Sequence, residues 1–176
     1  GFFDDEIVPL EIPQKHNKPN LVIDFDEHPR PTTDQASLQK LRSLFPDGVV
    51  SAGNASGIND GASALIIGSA QLGEQVGIKP RARILAGAVA GVDPRVMGLG
   101  PVPASQKALA RAELTLDDMD VLEFNEAFAV QVLGCLKTLG IDANDPRVNP
   151  NGGAIAVGHP LGASGARIVL TALRQL

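Results

Sequence analysis

Polar and apolar positions fall in blocks along the chain, and the blocks differ in kind. Residues 1–47 are polar and punctuated by Pro9, Pro13, Pro19, Pro29, Pro31 and Pro46, with short extended stretches at 7–12 and 21–25. Leu38, Leu41 and Phe45 recur at helical spacing, which predicts one helix over 33–44 with those side chains on its buried stripe. Long irregular segments of this kind either lie bare on the surface or bind something. From Ala52 to Gly61 the pattern tightens into a dense run of small and turn-forming residues. Beyond it, apolar runs at 64–67, 83–90, 121–124 and 152–157 predict strands. They alternate with helical patterns at 70–77, 103–112, 126–139 and from 162 onward. Pro103 suits a first helical position, where a missing N–H costs no hydrogen bond. Thr115 and Asp118 have the spacing of a capping box, and Gly140 is placed to close the helix before it. The alternation predicts an α/β fold, a mixed sheet covered by helices.

Composition narrows the function. The 176 residues carry a formal net charge of -5 and only 3% aromatic residues, without Trp or Tyr. No basic stripe or stacking platform is present, which argues against a nucleic-acid binder. No apolar run has the length of a membrane span, so a soluble, cytoplasmic protein is expected. The single Cys135 excludes an internal disulfide and, on the apolar stripe of the 126–139 helix with no basic neighbour, reads as a buried structural thiol. The sequence opens without Met or a targeting signal and stops within a helical pattern, and so reads as part of a longer chain.

Three clusters could carry chemistry. Asn125-Glu126-Ala127-Phe128-Ala129 lies where a strand gives way to a helix, the place where α/β proteins meet ligands. Asn125 equally suits a helix cap there, and Phe128 shares a helical face with Val132, Leu136 and Leu139 and so equally suits the core. The second cluster runs from Asn149 to Arg167 and holds His159 between Gly158 and Pro160. Glycines let a ligand approach the imidazole while proline restricts the turn. Its spacing matches neither a phosphate-binding loop nor a dinucleotide fingerprint. The third cluster, Asn54–Gly61, is by itself a plain turn.

Together these segments resemble the thiolase family: Gly53-Asn54-Ala55-Ser56-Gly57-x-Asn59-Asp60-Gly61, then Asn125-Glu126-Ala127-Phe128-Ala129, then Asn151-Gly152-Gly153-Ala154-Ile155-Ala156-x-Gly158-His159-Pro160-x-Gly162-Ala163-Ser164-Gly165-Ala166-Arg167. The resemblance implies CoA-dependent cleavage of a 3-ketoacyl-CoA, or the reverse Claisen condensation, through a cysteine acyl-enzyme. It implies that His159 activates the nucleophile and donates to the thioester oxygen, and that Asn125 holds a water as a second donor. Ser56 would contact the pantetheine arm of CoA, Arg30 and Ser37 its nucleotide, and Phe128 and Met97 would wall the acyl pocket. CoA is then a co-substrate, with no tightly bound cofactor and no metal. Full-length relatives of this kind would be homodimers or homotetramers.

The same resemblance divides the chain into the end of a CoA-binding loop domain (1–57), the close of an N-terminal domain (58–79) and a C-terminal domain (80–176) lacking its last hairpin. It implies that the nucleophilic cysteine and a second, proton-shuttling cysteine lie outside these residues, so that the chain alone is inactive. Two other readings stay open: a non-catalytic CoA-binding or scaffold module, and an unrelated nucleotide-binding α/β domain with phosphate contacts at Gly152–Gly165.

Overall fold

Near the start, two short segments pair as an antiparallel hairpin, β1 (Leu10–Ile12) with β2 (Leu21–Ile23), Leu10 standing opposite Ile23. The computed structural model describes residues 1–16 and 18–176. The expected helix over 33–44 shrinks to α1 (Gln35–Gln39). Its start is a reciprocal cap, in which Ser37 N–H donates to Asp34 Oδ1 at 2.7 Å and Asp34 N–H to Ser37 Oγ at 3.1 Å. The buried stripe expected there is a misreading: Leu38, Leu41 and Phe45 are all exposed. Leu38 and Leu41 lean on the bare backbone of Gly53, where a Cβ would meet both side chains.

Helices α2 (Ala70–Gln75) and α3 (Pro101–Ala112) follow. Ser69 Oγ caps the first by accepting from Leu72 N–H at 3.1 Å, and Gly77 at φ +69° turns the chain out of it. Pro101, rather than Pro103, occupies the start of α3. α4 (Ala129–Leu139) ends at Gly140 (φ +75°) as the glycine suggested. α5 (Ala154–Val157) and α6 (Leu161–Gln175) complete the chain.

The strands expected at 64–67 and 83–90 form no ladder. A strand satisfies its backbone only through a neighbour, and none of the described residues pairs with these runs, which leaves Ile66 95% and Val89 89% exposed. The 83–90 run is held from the side instead, where Arg111 Nη1 of α3 donates to the Gly87 carbonyl at 2.5 Å. The run 121–124 makes one parallel bridge, Leu122 to Val148. The run 152–157 is no strand at all: Val157 N–H donates to the Gly153 carbonyl and Gly158 N–H to that of Ala154, both at 3.0 Å, and the segment coils into α5. A short apolar run between glycines carries no period to separate the two outcomes.

The core lies directly beneath the site. Val132 and Leu136 of α4 are buried with Ile141, and Leu116, Leu122, Phe124, Leu139 and Val148 pack against them. Burial of Leu136 alone contributes about 1.5–3 kcal/mol. The chain from Leu122 into Asn125 and from Val148 into Asn149 therefore leaves this core already fixed. No helix among the described residues is long and apolar enough to cross a membrane.

Candidate active site

Three loops far apart in sequence meet above α4. The 53–61 turn lies along the start of α4: Ser56 N–H donates to the Ala127 carbonyl (3.0 Å) and Ala129 N–H to that of Asn54 (2.9 Å), an antiparallel bridge between Ala55 and Phe128. One step further, Ile58 and His159 form a parallel bridge. From the other side Ala154 N–H donates to the Asn125 carbonyl at 3.0 Å. The consequence is that Asn125 and His159, 34 residues apart, stand face to face, with Asn125 Nδ2 at 3.2 Å from His159 Nε2.

A clamp of polar side chains holds Asn125 in place. Asn149 is 8% exposed, and its Oδ1 accepts from Phe124 N–H at 2.7 Å. Its Nδ2 donates to the Phe124 carbonyl (3.0 Å) and to Glu126 Oε1 (2.5 Å). Glu126 Oε2 in turn accepts from Ile155 N–H at 3.4 Å. Glu126 (φ +58°) and Asn149 (φ +43°) both occupy left-handed backbone, which is costly for Glu and easier for Asn. Such strain persists only where the surroundings over-determine it. Gly153 completes the clamp, because a Cβ there would strike the Glu126 carboxyl group and come within 2.6 Å of Asn149 Nδ2. Gly153→Ala is accordingly expected to destabilise the full-length protein by about 1–3 kcal/mol, measured by denaturant or thermal unfolding.

His159 is half-buried at the entry of α6. Its Nδ1 lies 2.6 Å from the hydroxyl of Ser164, one turn into the helix and 4% exposed. Ser164 Oγ is also within 3.1 Å of the Pro160 carbonyl. The hydroxyl can thus donate to the carbonyl and accept a hydrogen bond from Nδ1–H, which leaves the lone pair of Nε2 facing Asn125. The turn before it is pinned by Arg167, whose Nη1 donates to the Gly158 carbonyl at 2.8 Å. Burial pushes the Arg167 pKa down, against the opposing pull of Glu123 and Asp26.

Asn125 does not cap α4. The cap position is Phe128, which makes no side-chain hydrogen bond, and Asn125 Oδ1 is buried and accepts no hydrogen bond from the protein. The helix-cap alternative thereby falls away. A buried acceptor left unsatisfied is costly, on the order of 1–3 kcal/mol, so the site favours a small donor at that oxygen. Phe128 is 42% exposed and stands outside the core cluster, so the core alternative for it falls as well.

The other residues singled out by sequence are spread more widely. Ser56 and Phe128 sit at the rim of the same bridge. Met97 is 74% exposed in the kinked 3-10 segment Pro94–Leu99, which packs on α4 where Cys135 Sγ donates to the Gly98 carbonyl at 3.3 Å. Arg30 and Ser37 lie on the exposed loop and α1, and the Ser37 hydroxyl is already engaged by Asp34. A cavity of about 390 Å³ lies behind α5 among Phe3, Phe25, Phe124 and Arg167 and does not include His159. Cys135 is 1% exposed and burial pushes its thiol pKa up, so it has the inert character expected of it. Cys135→Ala is expected to cost about 1 kcal/mol of stability and to leave turnover of the full-length protein unchanged, as unfolding curves and steady-state rates would show.

The sequence reading assigned no role to Glu126, Asn149, Ser164 or Asn59, although each stands inside a quoted segment. Only the Asn149 backbone had a sequence signal, since Asn is the residue most tolerant of left-handed φ after glycine.

Comparison with known proteins identifies the family. The family described as "Thiolase, C-terminal domain" matches residues 78–176, and "Thiolase, N-terminal domain" matches residues 1–71. A beta-ketoadipyl-CoA thiolase of Acinetobacter baylyi is 57% identical over 177 residues, covering 100% of this chain and 44% of that protein. The crystal structure of the Bacillus anthracis acetyl-CoA acetyltransferase superposes with a TM-score of 0.90 at 45% identity, covering 100% of this chain and 44% of that one. Human mitochondrial 3-ketoacyl-CoA thiolase in complex with CoA superposes with a TM-score of 0.84 at 41% identity, over 100% and 43%. The chain thus spans less than half the length of the relatives it matches, and its fold is the layered α/β fold of those structures.

Proposed function

Since the chain belongs to the thiolase family, we propose that it carries the histidine–asparagine half of a thiolase active site, working with a cysteine from elsewhere in the same protein. The observation that carries this is the facing pair: His159 Nε2 lies 3.2 Å from Asn125 Nδ2 while Asn125 Oδ1 stays buried and unpartnered. The reaction needs a base to make a thiolate, and donors where negative charge gathers on the thioester oxygen.

With Nδ1–H donated to Ser164, Nε2 accepts the thiol proton and becomes an N–H donor. The thiolate attacks the 3-keto carbon, and the bond between C2 and C3 breaks. Its electron pair moves onto the thioester oxygen, where the new Nε2–H stabilises it. A water that donates one proton to Asn125 Oδ1 has its second proton free for the same oxygen. The second cysteine that the resemblance implies gives C2 its proton, and free CoA then takes the acyl group from the nucleophilic cysteine, returning its thiol proton to that second thiolate. Run in reverse, the steps are a Claisen condensation.

In this reading Ser56, next to the bridge between Ala55 and Phe128, meets the pantetheine arm, and Arg30 and Ser37 meet the nucleotide. Residues 1–57, 58–79 and 80–176 then act as loop, N-terminal and C-terminal parts of one enzyme. A homodimer or homotetramer is the assembly expected of the full-length protein. β-Ketoadipyl-CoA is the first substrate to try, given the name of the Acinetobacter baylyi relative. The test is product analysis of the full-length protein supplied with that substrate and CoA. Equal amounts of acetyl-CoA and the shortened acyl-CoA are expected. CoA binding without turnover of any 3-ketoacyl-CoA would return the protein to a binding or scaffold module.

A further inference from the structure

A second histidine is wired to the first. His28, half-buried in the loop region, has Nε2 at 3.1 Å from the Ile155 carbonyl. Its Nδ1 lies 3.3 Å from Nδ2 of Asn59, and Asn59 Oδ1 accepts from the backbone N–H of His159 at 3.0 Å. Ring tautomers and amide orientations are ordinarily matters of inference. Here the ends of the chain of hydrogen bonds fix both. A backbone N–H only donates, so the Asn59 atom facing His159 is the oxygen and the atom facing His28 is the NH2. A backbone carbonyl only accepts, so the His28 nitrogen facing Ile155 carries the proton. Nδ1 is then left as the acceptor that Asn59 needs. All the polarities agree, with no donor facing a donor.

The backbone around the relay has been cleared to admit it. A Cβ on Gly158, itself at φ +89°, would come within 2.6 Å of Asn59 Oδ1, and one on Gly57 within 2.9 Å of His28 Nδ1. The relay joins residues 127 and 100 positions apart. One end lies two residues before Arg30, the other end is the turn that presents the imidazole of His159, and Ile155 at the first end also donates its N–H to Glu126. These bonds link the loop region to both halves of the His159–Asn125 pair.

We propose that His28 and Asn59 are positioning residues that hold the His159 turn in register with Asn125 and couple it to the loop expected to bind CoA. The kinetic consequence rests on the thiolase reading, whereas the tautomer and the hydrogen-bond polarity do not.

The experiment compares His28→Phe, which keeps a ring but removes both hydrogen bonds, with His28→Gln, which restores a donor and an acceptor, and with Asn59→Ala. All are made in the full-length protein. Misplacement of a catalytic group by about 1 Å can cost ~10²-fold, so kcat is expected to fall about ten- to a hundredfold in His28→Phe and Asn59→Ala, with KM for CoA within about threefold. His28→Gln should recover most of that loss. In ¹⁵N-histidine-labelled wild-type protein, the His28 signals, identified by their loss in His28→Phe, should show a protonated Nε2 and a bare Nδ1. Exchange of the His159 amide hydrogen should quicken by about tenfold or more in Asn59→Ala. Full kcat in both disruptive variants, or a His28 protonated at Nδ1, would overturn the proposal. If the full-length protein has no thiolase turnover, the tautomer and the amide exchange still decide the relay by themselves.

Discussion

Replacing His159 by alanine in the full-length protein is expected to lower kcat for thiolysis by about four orders of magnitude, since the proposed mechanism uses one ring first as base and then as oxyanion donor. The Kd for CoA, measured by calorimetry, should change by less than about threefold, because the ring faces Asn125 rather than the loop of Arg30 and Ser37. The stability cost should be modest. His159 is only half-buried, and its backbone N–H keeps its bond to Asn59 whatever the side chain. A loss of kcat with CoA binding intact separates a catalytic ring from one that merely shapes the pocket. An unchanged kcat would remove His159 from the chemistry.

Asn125→Ala is expected to lower kcat about 10²–10³-fold, equivalent to ~2.7–4 kcal/mol of lost transition-state stabilisation. The structure makes this sharper than a generic oxyanion-donor prediction, because the competing role as a helix cap has its own signature. Loss of a cap typically costs about 1 kcal/mol of stability. α4 is entered through Phe128 with no side-chain cap, so Asn125→Ala should leave the unfolding midpoint nearly unchanged. Asn125 also leaves its own buried oxygen unpartnered, which makes it a poor structural residue as it stands. A variant that loses stability yet turns over at the wild-type rate would reverse the assignment.

Helices were readable in the sequence wherever punctuation and period coincide. The apolar stripe Val132, Leu136, Leu139 and the closing Gly140 located α4, and proline located α3 to within two residues. Strands were another matter. The runs at 64–67 and 83–90 have strand composition, but a ladder is a property of two segments, and no described residue supplies the second. Ala154–Val157 has strand composition too, yet hydrogen bonds from Val157 and Gly158 back to Gly153 and Ala154 make it a helix. The stripe assigned to Leu38, Leu41 and Phe45 failed for the opposite reason. The period was present, but all three side chains stay exposed among the described residues.

At the site, residue identities were readable and their wiring was not. His159 and Asn125 stand out by their setting among glycines and at a strand end, and the structure brings the two together. The partners that orient them are ordinary residues in ordinary numbers: Asn149 and Glu126 behind Asn125, Ser164 on the imidazole, Asn59 and His28 beneath the turn. Their separations in sequence carry no periodicity, so only the fold reveals them. The glycines are the partial exception. Gly153 and Gly158 look like flexible turn residues in the sequence, and both prove to be places where another side chain lies against the backbone.

The most direct measurement is a crystal structure of the full-length protein holding a non-hydrolysable acyl-CoA analogue. The account predicts His159 Nε2 about 3 Å from the analogue's thioester-equivalent oxygen, with a water bridging that oxygen to Asn125 Oδ1. An analogue whose carbonyl lies beyond reach of both side chains, with its phosphates instead on the Gly152–Gly165 turn, would contradict it.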